Sequence, residues 1–148
     1  MTQFPQIVAW LLSVLVTMVL LSRAPRYGTG FVLKAAIGSI VGSMLFVTAL
    51  GLSLRHFGIR SSHAFTTILF QLLFAVLIAA MLNIMNLVLR GMVEGQIAFH
   101  RRYNAANLQR FPVSFVIARR ERIKAVGTLF WCFGAGIMFY GLWFHMQL

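Results

Sequence analysis

The sequence predicts an all-α, polytopic integral membrane protein: a four-transmembrane-helix bundle with an extended basic cytoplasmic link between the third and fourth helices. Three observations carry this. Four long apolar runs follow one another along 148 residues. Only 10% of the residues are charged while 60% are hydrophobic. Nearly every positive charge falls on one side of the runs. A soluble domain carries about a quarter charged residues. With so few, a water-soluble fold could not cover its apolar surface, whereas a lipid-embedded fold has no need to. The whole chain, 1–148, reads as one membrane domain.

A hydrocarbon core about 30 Å thick takes about 20 helical residues. Run one covers 4–21 and stops at Ser22-Arg23-Ala24-Pro25-Arg26, where charge and proline coincide. Run two covers 31–54, with Lys34 near enough to its start to snorkel. Run three covers 64–89 and ends at Arg90-Gly91; run four covers 126–145. The segment from Met1 to Phe4 has no basic leader and no small-x-small cleavage site follows, so run one reads as a retained span.

The links are unequal: Ser22 to Gly30, Arg55 to His63, and the long link 90–124. Four spans put the first and third links on one side, and the second link and both termini on the other. With Lys34, the first side holds Arg23, Arg26, Arg90, Arg101, Arg102, Arg110, Arg119, Arg120, Arg122 and Lys124, eleven of the thirteen basic residues. Arg55 and Arg60 are the remainder. An excess of Lys and Arg in short loops marks the cytoplasmic side. Both termini are therefore predicted outside, and the setting is read as a bacterial inner membrane. Aromatic residues agree with that frame. Tyr140, Trp143 and Phe144 crowd the outer end of run four, Phe4 and Trp10 the outer end of run one, and Tyr27 and Phe31 the inner end of run two. Trp10 is deep for a belt residue and is expected to face a neighbour.

Run three carries a stripe of Thr67, Gln71, Ala75, Ala79, Asn83, Asn86 and Arg90, at steps of four and three along one helix face. An amide without a partner in hydrocarbon costs several kcal/mol, so these groups must meet protein or trapped water. Helix-to-helix hydrogen bonding is the plainer reading; a polar solute path is the sharper one. Small residues recur at heptad spacing in run two (Ala35, Gly42, Ala49, with Gly38) and in run four (Gly127, Gly134, Gly141). Such seams let backbones approach. The simplest arrangement packs runs two and four through them, though they suit other subunits equally.

The long link has eight basic and two acidic residues, net +6. Pro112 is placed to start a helix running into the fourth span, and the third span can continue past Arg90 toward Asn104 although Gly91 and Gly95 weaken it. Arg119, Arg120, Arg122 and Lys124 form a collar for anionic headgroups, each contributing about 1 kcal/mol. Arg101, Arg102 and Arg110 suit lipid or an acidic cytoplasmic protein, with Met92, Phe99 and Tyr103 as its apolar contact. The net charge of +11 also fits nucleic acid, but beside four spans lipid headgroups are the natural partner.

Catalytic patterns are missing. There is no phosphate-binding glycine loop, CxxC, HExxH or intramembrane carboxylate, and the lone Cys132 sits in an apolar run. The histidines predicted outside, His56, His63 and His145, are a metal or titrating set in the sharper reading. In the plainer one they are unrelated interfacial residues beside Arg55 and Arg60, which oppose a cation. No metal, cofactor or catalytic residue is predicted, and the chain is not expected to be an enzyme. The function expected is that of a non-catalytic subunit of a larger membrane complex, as in secretion or conjugation machinery or a respiratory or photosynthetic assembly. It would pack against other membrane subunits. The alternative is a small oligomeric transporter or channel, with Thr67, Gln71, Asn83 and Asn86 lining the path. An enzyme or redox subunit using the outer histidines ranks third.

Overall fold

A computed structural model describes residues 4–60 and 62–146. The reading of Met1 to Phe4 as lacking a leader falls largely outside the described residues. Among the described residues the fold is all-helical, with four helices long and apolar enough to cross a membrane. α1 is Phe4–Arg23, α2 Thr29–His56, α3 His63–Tyr103 and α4 Val113–Tyr140. The end of α4 widens into a π-helical turn, Gly141–His145.

The boundaries follow local chemistry. Pro25 lies in a tight turn, Ala24–Arg26, closed by the Tyr27 amide donating to the Ala24 carbonyl at 3.2 Å. α2 ends where Gly58 takes φ +66°, the left-handed region that a side chain would penalise. That lets the Ile59 amide reach back to the Leu54 carbonyl at 2.9 Å. The Ser62 hydroxyl then caps α3, accepting from the Phe65 amide at 3.2 Å. α3 has 41 residues, about 60 Å at 1.5 Å per residue and twice a hydrocarbon core, so its polar half from Arg90 onward projects beyond the apolar half. α4 starts directly after Pro112 and kinks at Arg119 (φ −118°, ψ 16°), where no proline or glycine stands. The Arg119 guanidinium lies 4.6 Å from the centre of the Phe115 ring.

The helices do not share the work of packing equally. The buried core is Leu21 from α1, Leu82 from α3, Ala135 and Phe139 from α4, and Leu142 and Trp143 from the π turn. α2 contributes nothing to it. α2 lies along α3, whereas α4 packs on both α3 and α1. This departs from the expected pairing of runs two and four. α3 occupies the position between them, and a Cβ built on Gly38, Gly42, Gly134 or Gly141 would meet nothing within 4 Å. The small-residue seams are therefore open. Gly127 differs: Leu89 of α3 sits where its Cβ would be.

Tryptophans join the same three helices. Trp10 Nε1 donates to the Gly136 carbonyl at 2.9 Å, meeting the expectation that it faces a neighbour. Trp143 is buried and donates to Ser13 Oγ at 3.1 Å, so it is core rather than a member of an interfacial belt. Outward, the surface is overwhelmingly apolar, with Leu15, Leu45, Phe46, Leu129 and Phe133 all exposed. Such a surface suits lipid and not water.

Gly127→Val should therefore displace the Leu89 side chain from the α3–α4 contact and cost about 1–3 kcal/mol, seen as a lower thermal midpoint in detergent. Gly38→Ala and Gly42→Ala, whose added methyls meet open space, should leave the midpoint level or raise it. Equal losses at all three positions would contradict the packing.

Candidate functional site

The polar side chains of the inner helices gather into one connected cluster. It begins at Asn86, which has no exposed surface. Its Nδ2 donates to the Leu21 carbonyl of α1 at 3.4 Å, and its Oδ1 lies 3.0 Å from Thr128 Oγ1 of α4. Thr128 has a single hydroxyl proton, to share between Asn86 Oδ1 and the Lys124 carbonyl at 2.9 Å. Its oxygen accepts from Arg90 Nη2 at 3.1 Å. One turn further along α3, Glu94 Oε1 accepts from Lys124 Nζ, which also donates to Glu121 Oε1 at 3.0 Å. Lys124 is buried although Glu94 and Glu121 are largely exposed. A buried ammonium persists only when paired, and here both acidic side chains of the chain serve that one lysine.

A second tie lies at the far end of α3. Gln71, also buried, donates from Nε2 to the carbonyls of Leu142 at 3.2 Å and Met146 at 3.3 Å. A π turn displaces carbonyls from their usual helical donors, and Gln71 supplies a donor to Leu142 within the turn and to Met146 just past its end. The ties are antiparallel: as the α3 partner rises from 71 to 86 to 94, the α4 partner falls from 142 and 146 to 128 to 124.

The sequence stripe thus divides. Gln71 and Asn86 bond across helices. Asn83 is buried but donates to its own Ala79 carbonyl at 2.9 Å, and Thr67 to its own His63 carbonyl at 3.0 Å. Ala75 and Ala79 pack against the core. Within the basic link, Arg101, Arg102, Arg110 and Arg122 are exposed, and Arg120 lies 3.5 Å from Glu121 on the surface. Lys124 departs from the expected headgroup collar, because it is buried and held by two carboxylates. His56, His63 and His145 are each exposed, and among the described residues no three histidine, cysteine or acidic side chains converge as metal ligands. The geometry supports helix cohesion and charge pairing.

The Glu94–Lys124–Glu121 clasp was not part of the sequence expectation. Its signal was present: Asn86, Arg90 and Glu94 continue the α3 stripe at steps of four, and Glu121, Lys124 and Thr128 make a matching α4 stripe at steps of three and four. Compared with protein-family models, curated proteins and solved structures, the chain matches none.

The clasp lies beyond the apolar half of α3, and its hydrogen bond from Lys124 holds the Glu94 carboxyl below the ordinary 4.5. The same bond to Glu94 raises the Lys124 ammonium above the ordinary 10.5, against its partial desolvation. A lowered carboxyl stabilises fully above its unfolded value and loses that contribution as pH falls through the folded one; a raised lysine loses its contribution as pH climbs past its folded value. The thermal midpoint of the purified protein should thus be level between 4.5 and 10.5 and fall on acidification below that window. Glu94→Gln should lower the plateau and flatten the acid limb. An acid limb unchanged in that variant would rule the clasp out as its source.

Proposed function

We propose that the chain is a non-catalytic integral subunit of a larger membrane assembly. In this reading it crosses a bacterial inner membrane four times, with both termini outside and the basic link within the cytoplasm. The observation that carries the reading is the state of α2. It adds nothing to the common core, lies chiefly along α3, and turns the thin seam at Gly38 and Gly42 to open space. In a bilayer, small residues favour close helix contact, and an open seam on a peripheral helix suits a neighbouring subunit. Gly134 and Gly141 of α4 are equally open. The opposing idea of a polar solute path loses its lining, because Gln71 and Asn86 spend their amides on neighbouring helices.

At the inner end, Lys124 occupies both acidic side chains. Arg101, Arg102, Arg110 and Arg122 are left exposed to meet anionic phospholipid or an acidic cytoplasmic protein. Charge placement favours this end as cytoplasmic.

Gentle detergent extraction should bring the protein out with partner chains. Gly38→Leu with Gly42→Leu should lower their recovery severalfold at unchanged helix content. A monodisperse monomer from native membranes would contradict the subunit reading.

A further inference from the structure

α1 and α2 diverge from the turn that joins them, α1 toward α4 and α2 along α3. Between them opens a cleft of about 680 Å³, floored by α3. This lies within the roughly 300–1,000 Å³ of small-molecule sites. Leu12, Val16 and Leu20 of α1 face Val32 and Ala35 of α2 across it, and Ala80 lies in the floor. The polar side chains in its walls are few: Ser13 and Ser39 bond their own helix carbonyls at 2.8 Å, Asn83 bonds its own Ala79 carbonyl at 2.9 Å, and the Thr17 hydroxyl is buried without a partner. At the closed end, where the helices join, stand Arg23 and Tyr27, both exposed and both lining the cleft. Arg26 is exposed in the same turn. Among the described residues no carboxylate pairs with Arg23 or Arg26.

We infer that this cleft binds one anionic phospholipid, its phosphate at Arg23 and an acyl chain laid between α1 and α2. Shape and charge together select this occupant. A helix about 10 Å wide fills 680 Å³ in about 9 Å, some six residues, so the cleft encloses only a fraction of a transmembrane helix. The mostly apolar walls suit a hydrocarbon chain better than a polar solute, and the unpaired guanidinium at one end calls for an anion, which a fork of N–H donors suits when the anion is phosphate. Tyr27 beside it, with Phe31 5.5 Å away ring to ring, has the amphipathic character found at headgroup depth. The inference rests on the membrane-spanning part of the proposed function, not on the subunit role.

Native mass spectrometry of the full chain in detergent, with phosphatidylglycerol or phosphatidylcholine of the same acyl chains, tests it. The first phosphatidylglycerol should be retained about fivefold better than phosphatidylcholine, the factor expected from one basic residue at an anionic headgroup. Arg23→Gln should bring that ratio near one. Ala35→Phe, at an exposed position on the cleft wall, should reduce retention of both lipids; if it lowers helix content, the Arg23→Gln comparison decides alone. Arg101→Gln with Arg102→Gln should leave the first bound lipid unaffected. The site is refuted if Arg23→Gln keeps the preference, if the Arg101 and Arg102 pair abolishes it, or if Ala35→Phe spares lipid and removes a dimer instead. An alkaline carbonate wash separates the two readings. A chain released from membranes overturns the membrane reading and this site together, whereas a retained chain without lipid preference overturns the site alone.

Discussion

Hydrocarbon contains no water to accept an unmet hydrogen bond, and in a chain whose four helices are apolar enough to cross a membrane the ties among α1, α3 and α4 are those that constraint calls for. Asn86 is the point where it bites hardest. Its amide is wholly buried among three helices, and it is satisfied by a carbonyl of α1 and a hydroxyl of α4. Gln71 does the same for the widened end of α4. These two residues lie about 22 Å apart along α3 and fix the register of α4 against it from both ends. The Lys124 clasp extends the register past the apolar half, where the groups are wet enough for carboxylates to stay ionised. α3 is thus the post on which the rest is hung.

The same logic explains why α2 stands apart. It has no amide and no buried charge, and Ser39, Ser43, Thr48 and Ser53 bond their own helix carbonyls. Nothing polar obliges α2 to join the core, and only Val32 and Ala36 are buried. What it offers is a thin face and, with α1, an apolar cleft ending in unpaired arginine. A helix of that kind gains from lipid or from a neighbouring subunit what it does not take from its own chain, which connects the proposed assembly role with the proposed lipid site.

Much of this was legible in the residues. The four spans followed from apolar length and from the Arg and Pro punctuation. The continuation of α3 to Tyr103 and the start of α4 after Pro112 followed from helix-compatible sequence on either side of one proline. The stripe on run three set Gln71 and Asn86 on one face as groups needing partners, but periodicity gives a face and not what lies opposite it. For that reason Asn83 and Thr67, on the same stripe, turn out to bond their own helix. Heptad glycines likewise state that a face is thin without stating which face is covered, and α3, not α4, covers α2. Lys124 was misjudged because a lysine beside three arginines reads as surface charge; only the opposed α3 stripe bearing Glu94 distinguishes it. Trp143 was taken for a belt residue because sequence position near a span end does not report that Ser13 waits across the interface.

The central claim is that Asn86 and Thr128 act as a coupled pair holding α1, α3 and α4 together. A double-mutant cycle of Asn86→Leu and Thr128→Val, measured by unfolding of the purified protein in detergent, addresses it most directly. The expected result is a coupling of about 0.6–2 kcal/mol, with either single change costing nearly as much as both. Strictly additive losses, or no loss from Asn86→Leu, would contradict the account.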